Sequence, residues 1–129
     1  MHLEKDLMKQ ISHRLDLYKG MGQVEWWARL QSGKVKNIYS NTWIRLCDKG
    51  TPDYIALIRN KQEGITVLFI EAKSDTGYLR KEQLRFIDKH SKKDILVLVV
   101  KDIKHLNDMI DMIAKDVTKE MAEWNLKSQ

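Results

Sequence analysis

A chain of 129 residues suits one compact domain spanning 1–129 and leaves no room for a second core of ordinary size. Its 43% hydrophobic and 32% charged residues exclude a disordered chain, and a net charge of +5 favours a polyanionic partner, nucleic acid before membrane. No apolar run approaches the ~18 residues of a spanning helix and the first residues carry no signal-peptide core, so a soluble, cytoplasmic protein without membrane partners is expected. The single cysteine, Cys47, excludes an internal disulfide, and the four scattered histidines (His2, His13, His90, His105) form no zinc motif, which leaves carboxylates to carry any metal.

The chain begins with an amphipathic helix from Leu3 to about Tyr18, because Leu7, Met8, Ile11, Leu15 and Tyr18 recur at steps of three and four. Glu4 falls within that stripe, whereas Asp6, Lys9 and His13 fall on the opposite side. Gly20 and Gly22 stop the helix. Three strands are expected next, at about Val24–Leu30, Ile38–Leu46 and Asp53–Ile58, separated by turn signals at Gln31-Ser32-Gly33 and Asp48-Lys49-Gly50. Ile65–Ala72 and Ile95–Val100 are nearly all apolar, as strands covered on both faces are. Between them lies a helical segment, Leu79–His90. A last helix runs from about Ile103, with Leu106, Ile110, Ile113, Val117, Met121 and Trp124 on one stripe. The order predicts an α/β fold around a central mixed sheet flanked by helices, with parallel strands joined by the Leu79–His90 crossover.

Asp53 opens one strand and Glu71 ends the next, eighteen positions later, with Asn60 to Gly64 as the turn between. That hairpin brings two carboxylates together, the hard oxygen donors that Mg²⁺ or Mn²⁺ prefers. Lys73, two residues beyond Glu71, projects to the same face. There its ammonium can hold an attacking water and offset charge in a phosphoryl-transfer transition state. On the Leu79–His90 wheel, Gln83 shares a face with Leu79, Phe86, Ile87 and His90 and so points toward the sheet, where a polar group needs a partner.

Gly50-Thr51-Pro52-Asp53, Glu71-Ala72-Lys73-Ser74 and the helix glutamine Gln83 together resemble the VRR-NUC (virus-type replication-repair nuclease) branch of the PD-(D/E)XK superfamily, over Glu4 to about Lys101. The resemblance implies a restriction-endonuclease-like core and a metal-dependent DNA nuclease. It implies that Asp53, Glu71 and the Ala72 carbonyl bind metal, that Glu4 assists, and that Gln83 completes the site. It also implies a phage or prophage replication or repair role, branched DNA as substrate, and products with 5′-phosphate and 3′-hydroxyl ends. One departure is Lys93-Asp94, where relatives usually carry glycine before the last strand.

Between Trp26 and Lys49, cations interleave with aromatics, a composition suited to a phosphate backbone. Arg29, Arg45 and Lys49 are the expected DNA contacts, with Lys34 and Lys36 on the same surface. Strand alternation allows at most one of Trp26 and Trp27 to face a ligand. Trp26, Trp27 and Trp43 exceed what one small sheet face buries and point to a homodimer. Ser74 and Tyr78 lie beside the motif but need no function. Two other readings fit the same residues: a Holliday-junction resolvase of this superfamily, and a nuclease-fold protein that binds DNA without cleaving it.

Overall fold

The computed structural model describes residues 4–30, 34–37, 39–45, 47–74 and 76–117, with the side chains of residues 34, 35, 44 and 45 outside that description. Helix α1 (Glu4–Gly20) is followed by strand β1 (Val24–Arg29), a hairpin of β2 (Lys34–Asn37) and β3 (Thr42–Arg45), and then β4 (Tyr54–Arg59) and β5 (Ile65–Ala72). Helix α2 (Lys81–His90), strand β6 (Ile95–Val100) and helix α3 (Ile103–Ile113) complete the order.

The main sheet has the order β1-β4-β5-β6. Its first three strands pair antiparallel and β6 joins β5 in parallel, so the expected mixed sheet and parallel crossover through α2 are present. Alternation along β4 and β5 gives the sheet two different faces. Tyr54, Ala56, Ile58, Leu68, Ile70 and Ala72 pack with Leu7, Ile11 and Leu15 of α1 and Leu106 and Ile110 of α3 in the buried core. The Tyr18 hydroxyl donates to Asp111 at 3.1 Å, tying α1 to α3, and burial and that bond push its pKa up to about 12. The other face carries Phe69, whose ring meets Phe86 of α2 edge-on at 5.1 Å.

β5 and β6 have the expected bounds, but β6 is an edge strand and Ile95–Val99 remain partly exposed. Its run of aliphatic residues still fits a strand covered on both faces, since β6 packs against α3 on the core side and α2 on the other. The middle strand expected at Ile38–Leu46 is instead the second half of a hairpin. Asn37 accepts the backbone N–H groups of Tyr39 and Ser40 at 2.9 and 3.4 Å, and Asn41 takes the left-handed conformation (φ 56°). That turn chemistry lies inside the segment that strand propensity favours; Ile38 and Leu46 lie outside the described residues. α3 also stops earlier than its stripe suggests. Ala114 turns extended and bridges to Asn60, and the Lys115 N–H donates to the Arg59 carbonyl at 2.8 Å, so pairing with the end of β4 replaces helix. Val117 is buried without being helical, and Met121 and Trp124 lie outside the described residues. Before β6, Asp94 adopts φ 66°. It takes the left-handed position that suits glycine, which aspartate tolerates better than most residues, so the Lys93-Asp94 departure is absorbed locally.

Candidate active site

Tyr54 pairs with Ile70 in the β4–β5 register, and one step further sets Asp53 opposite Glu71. The Asn60 turn fixes this register at the far end of the hairpin: its carbonyl side-chain oxygen accepts Gln62 and Gly64 N–H at 3.0 and 2.9 Å, and its amide donates to Thr66 at 3.1 Å. Asp53 Oδ2 accepts the Ala72 N–H at 2.8 Å, which stitches the two strand ends. Burial raises the Asp53 pKa, the Ala72 bond opposes it, and the Glu4 charge raises it further.

Glu71 is 5% exposed. Its pKa is pushed up to about 7, by burial first and then by Asp53, with Lys73 opposing and Glu4 adding to the rise. Gln83, itself 4% exposed, donates its amide to Glu71 Oε1 at 2.6 Å, while its carbonyl oxygen accepts the Arg80 N–H at 2.8 Å. One side chain therefore caps the start of α2 and orients the carboxylate. Lys73 Nζ stands 3.8 Å from the same Glu71 oxygen in a mostly enclosed pair. The geometry brings Asp53, Glu71, Lys73 and Gln83 together at one end of the sheet.

Glu4 differs from its wheel reading. It is exposed, because it lies one turn before Leu7, the first buried residue of α1, and so overhangs the core instead of pointing into it. Its charge nonetheless acts on both Asp53 and Glu71. Asp6 is exposed. Among the described residues no group of three or more His, Cys, Asp or Glu side chains is gathered tightly enough to hold a metal ion. The close set is the pair Asp53 and Glu71, with Glu4 at longer range.

Arg29 ends β1, and its charge lowers the Asp53 pKa. Lys49 pairs with Glu82 at 3.2 Å, an exposed contact. Arg45 lies on β3, paired with Lys34, and Lys36 faces Trp43 across the hairpin; the side chains of Arg45 and Lys34 are outside the description. Trp27 packs on Tyr54 with ring centroids 6.0 Å apart and donates its indole N–H to Asp16, whereas Trp26 and Trp43 are 46% and 66% exposed. Ser74 is half-buried and Tyr78 is exposed beside the site. Sequence reasoning missed Arg80, whose charge lowers the Glu71 pKa; no spacing rule marks an arginine just before a helix.

Among the described residues no helix is long and apolar enough to cross a membrane. The family model described as VRR-NUC domain matches residues 10–102 of the chain. No curated protein matches it, and no solved structure does.

Proposed function

Since the chain belongs to the VRR-NUC domain family, a nuclease domain of the PD-(D/E)XK type acting on DNA, we propose that it is a divalent-metal-dependent deoxyribonuclease, a single domain working at branched DNA. The observation that carries this reading is the contact of Gln83 and Lys73 with one oxygen of Glu71, beside Asp53. Asp53 and Glu71 offer hard oxygens crowded against one another in a buried setting, so a cation fits the pair and would relieve the burial and repulsion that raise both pKa values. Asp53, Glu71 and the Ala72 carbonyl would hold Mg²⁺ or Mn²⁺, with Glu4 assisting through water. When bound, the cation supplies Lewis-acid polarisation of the phosphate and a more acidic water.

The protein groups have separate tasks. Gln83 fixes the Glu71 carboxylate, Asp53 locks the strand ends through Ala72, and the Lys73 ammonium holds the water and offsets charge on the five-coordinate phosphorus. Water adds to phosphorus, the bond to the 3′ oxygen breaks, and that oxygen takes a proton, leaving 5′-phosphate and 3′-hydroxyl ends. The protein acts as a homodimer, with the exposed tryptophans Trp26 and Trp43 as candidate interface residues.

Flap, splayed-arm, four-way and linear DNA, each incubated with Mg²⁺, Mn²⁺ or chelator, provide the test. Cleavage should require the cation and favour a branched form. Asp53→Ala, Glu71→Ala and Lys73→Ala should each lower it by about 10²-fold or more while circular dichroism stays native. Folded variants that cut like the wild type would overturn the site.

A further inference from the structure

A cleft of about 580 Å³ lies between α1 and the end of β1, within the roughly 300–1,000 Å³ of small-molecule sites. Its α1 wall comes from positions 4, 5, 8, 9 and 12, which share a helical face beside the buried stripe of Leu7, Ile11 and Leu15. Arg29 forms the facing wall and Tyr54 the floor. The polar groups of the floor are already engaged: the Tyr54 hydroxyl donates to the Met8 carbonyl at 3.0 Å and pairs with Ser12 Oγ at 2.9 Å.

The cations of the walls are not engaged in this way. Among the described residues Lys5, Lys9 and Arg29 take part in no salt bridge, and the Arg29 guanidinium reaches Met8 Sδ only at 3.9 Å. Lys5 and Lys9 stand four residues apart on one face, where like charges repel. Three positive groups around an open cleft call for an anion, and the Met8 side chain between them gives an apolar surface for the rest of the ligand.

The cleft also has a direction. Glu4 lines it, and Arg29 is in register with Tyr54, the residue after Asp53, so it opens beside the paired carboxylates. Glu4 repels a phosphate from its own end toward the three cations. We propose, on the reading of Asp53 and Glu71 as the centre of cleavage, that this cleft seats the nucleotide adjoining the scissile bond. Its phosphate lies among Lys5, Lys9 and Arg29, and its sugar lies against Met8.

The test compares two double variants that remove equal charge. K5A/K9A empties the cleft wall; K92A/K93A removes two exposed lysines just before β6, at the end of the sheet where Ile95 pairs with Val67, away from Glu71. Affinity for a fluorescein-labelled single-stranded oligonucleotide is read by anisotropy in Ca²⁺ across a salt series. K5A/K9A should bind about tenfold more weakly, with a log–log salt slope shallower by about 0.7 for each phosphate that is no longer neutralised, and R29A should move the same way. In Mg²⁺ or Mn²⁺ the loss should fall on KM, and K92A/K93A should match the wild type in every readout. Equal effects of the two double variants, or an unchanged slope and KM in K5A/K9A while the wild type cleaves, would overturn the cleft. No wild-type cleavage with either metal would overturn the underlying reading of the carboxylates.

Discussion

Glu71 is held against its ionised form by burial, by Asp53 and by Glu4, with Lys73 and Arg80 opposing them. Its pKa is about 7 in the folded protein against the 4.5 of an ordinary glutamate, so between those values the folded chain keeps a proton that the unfolded chain releases. Stability in chelator therefore falls as pH rises from 4.5 toward 7, by roughly 1–3 kcal/mol. Glu71→Gln keeps an acceptor for the Gln83 amide and removes the charge. It should melt higher than the wild type at about pH 8 in chelator, above the folded pKa, and show no such gain near pH 4.5. Equal melting temperatures at the higher pH would contradict the conflict. On the proposed reading a cation competes with that proton for Glu71, so cation affinity measured by titration calorimetry should rise as pH increases toward neutrality.

At the scale of elements, the β3–β4 connection that leads to Asp53 passes close against the first turn of α2. Gly50 has φ 92° and is buried, and a Cβ there would lie 2.3 Å from the Glu82 carbonyl oxygen, with rigid backbone as the obstacle. The glycine of the Gly50-Thr51-Pro52-Asp53 motif is thus required twice, by conformation and by close approach. Gly50→Ala should cost about 2–4 kcal/mol by chemical denaturation, the sum of a left-handed residue and a displaced helix end. Because α2 also carries Gln83, cleavage by the fraction that remains folded should drop as well. A variant as stable and active as the wild type would show that α2 tolerates the shift.

On the whole-molecule scale, the proposed homodimer rests on exposed aromatic side chains. Trp27 is accounted for inside the fold, but Trp26, Trp43 and Tyr39 are exposed. A two-fold pair covering them would also set two carboxylate sites on one particle, which suits a substrate with two arms. Light scattering at micromolar concentration should give twice the 15.2 kDa protomer mass, and Trp43→Ala should shift it toward the monomer. A monomeric mass both free and on DNA would exclude the dimer.

Elements whose signal is local were legible along the chain. The period of α1, the bounds of β5 and β6, the Asn60 turn and the inward face of Gln83 are each written in residues close in sequence, and they bring Asp53, Glu71, Lys73 and Gln83 to one sheet end. Features that depend on neighbours distant in the chain were settled by packing instead. Helical spacing put Glu4 on the buried stripe, but the end of the packed core determines that it overhangs. Propensity allowed one long strand where side-chain bonds from Asn37 fold a hairpin, and α3 yields its last turns to pairing with β4 because backbone groups there find strand partners. Lys5 and Lys9 are two solvated lysines in the sequence; they flank a cleft only once β1 brings Arg29 across from them, since charge spacing along one helix carries no record of what faces it.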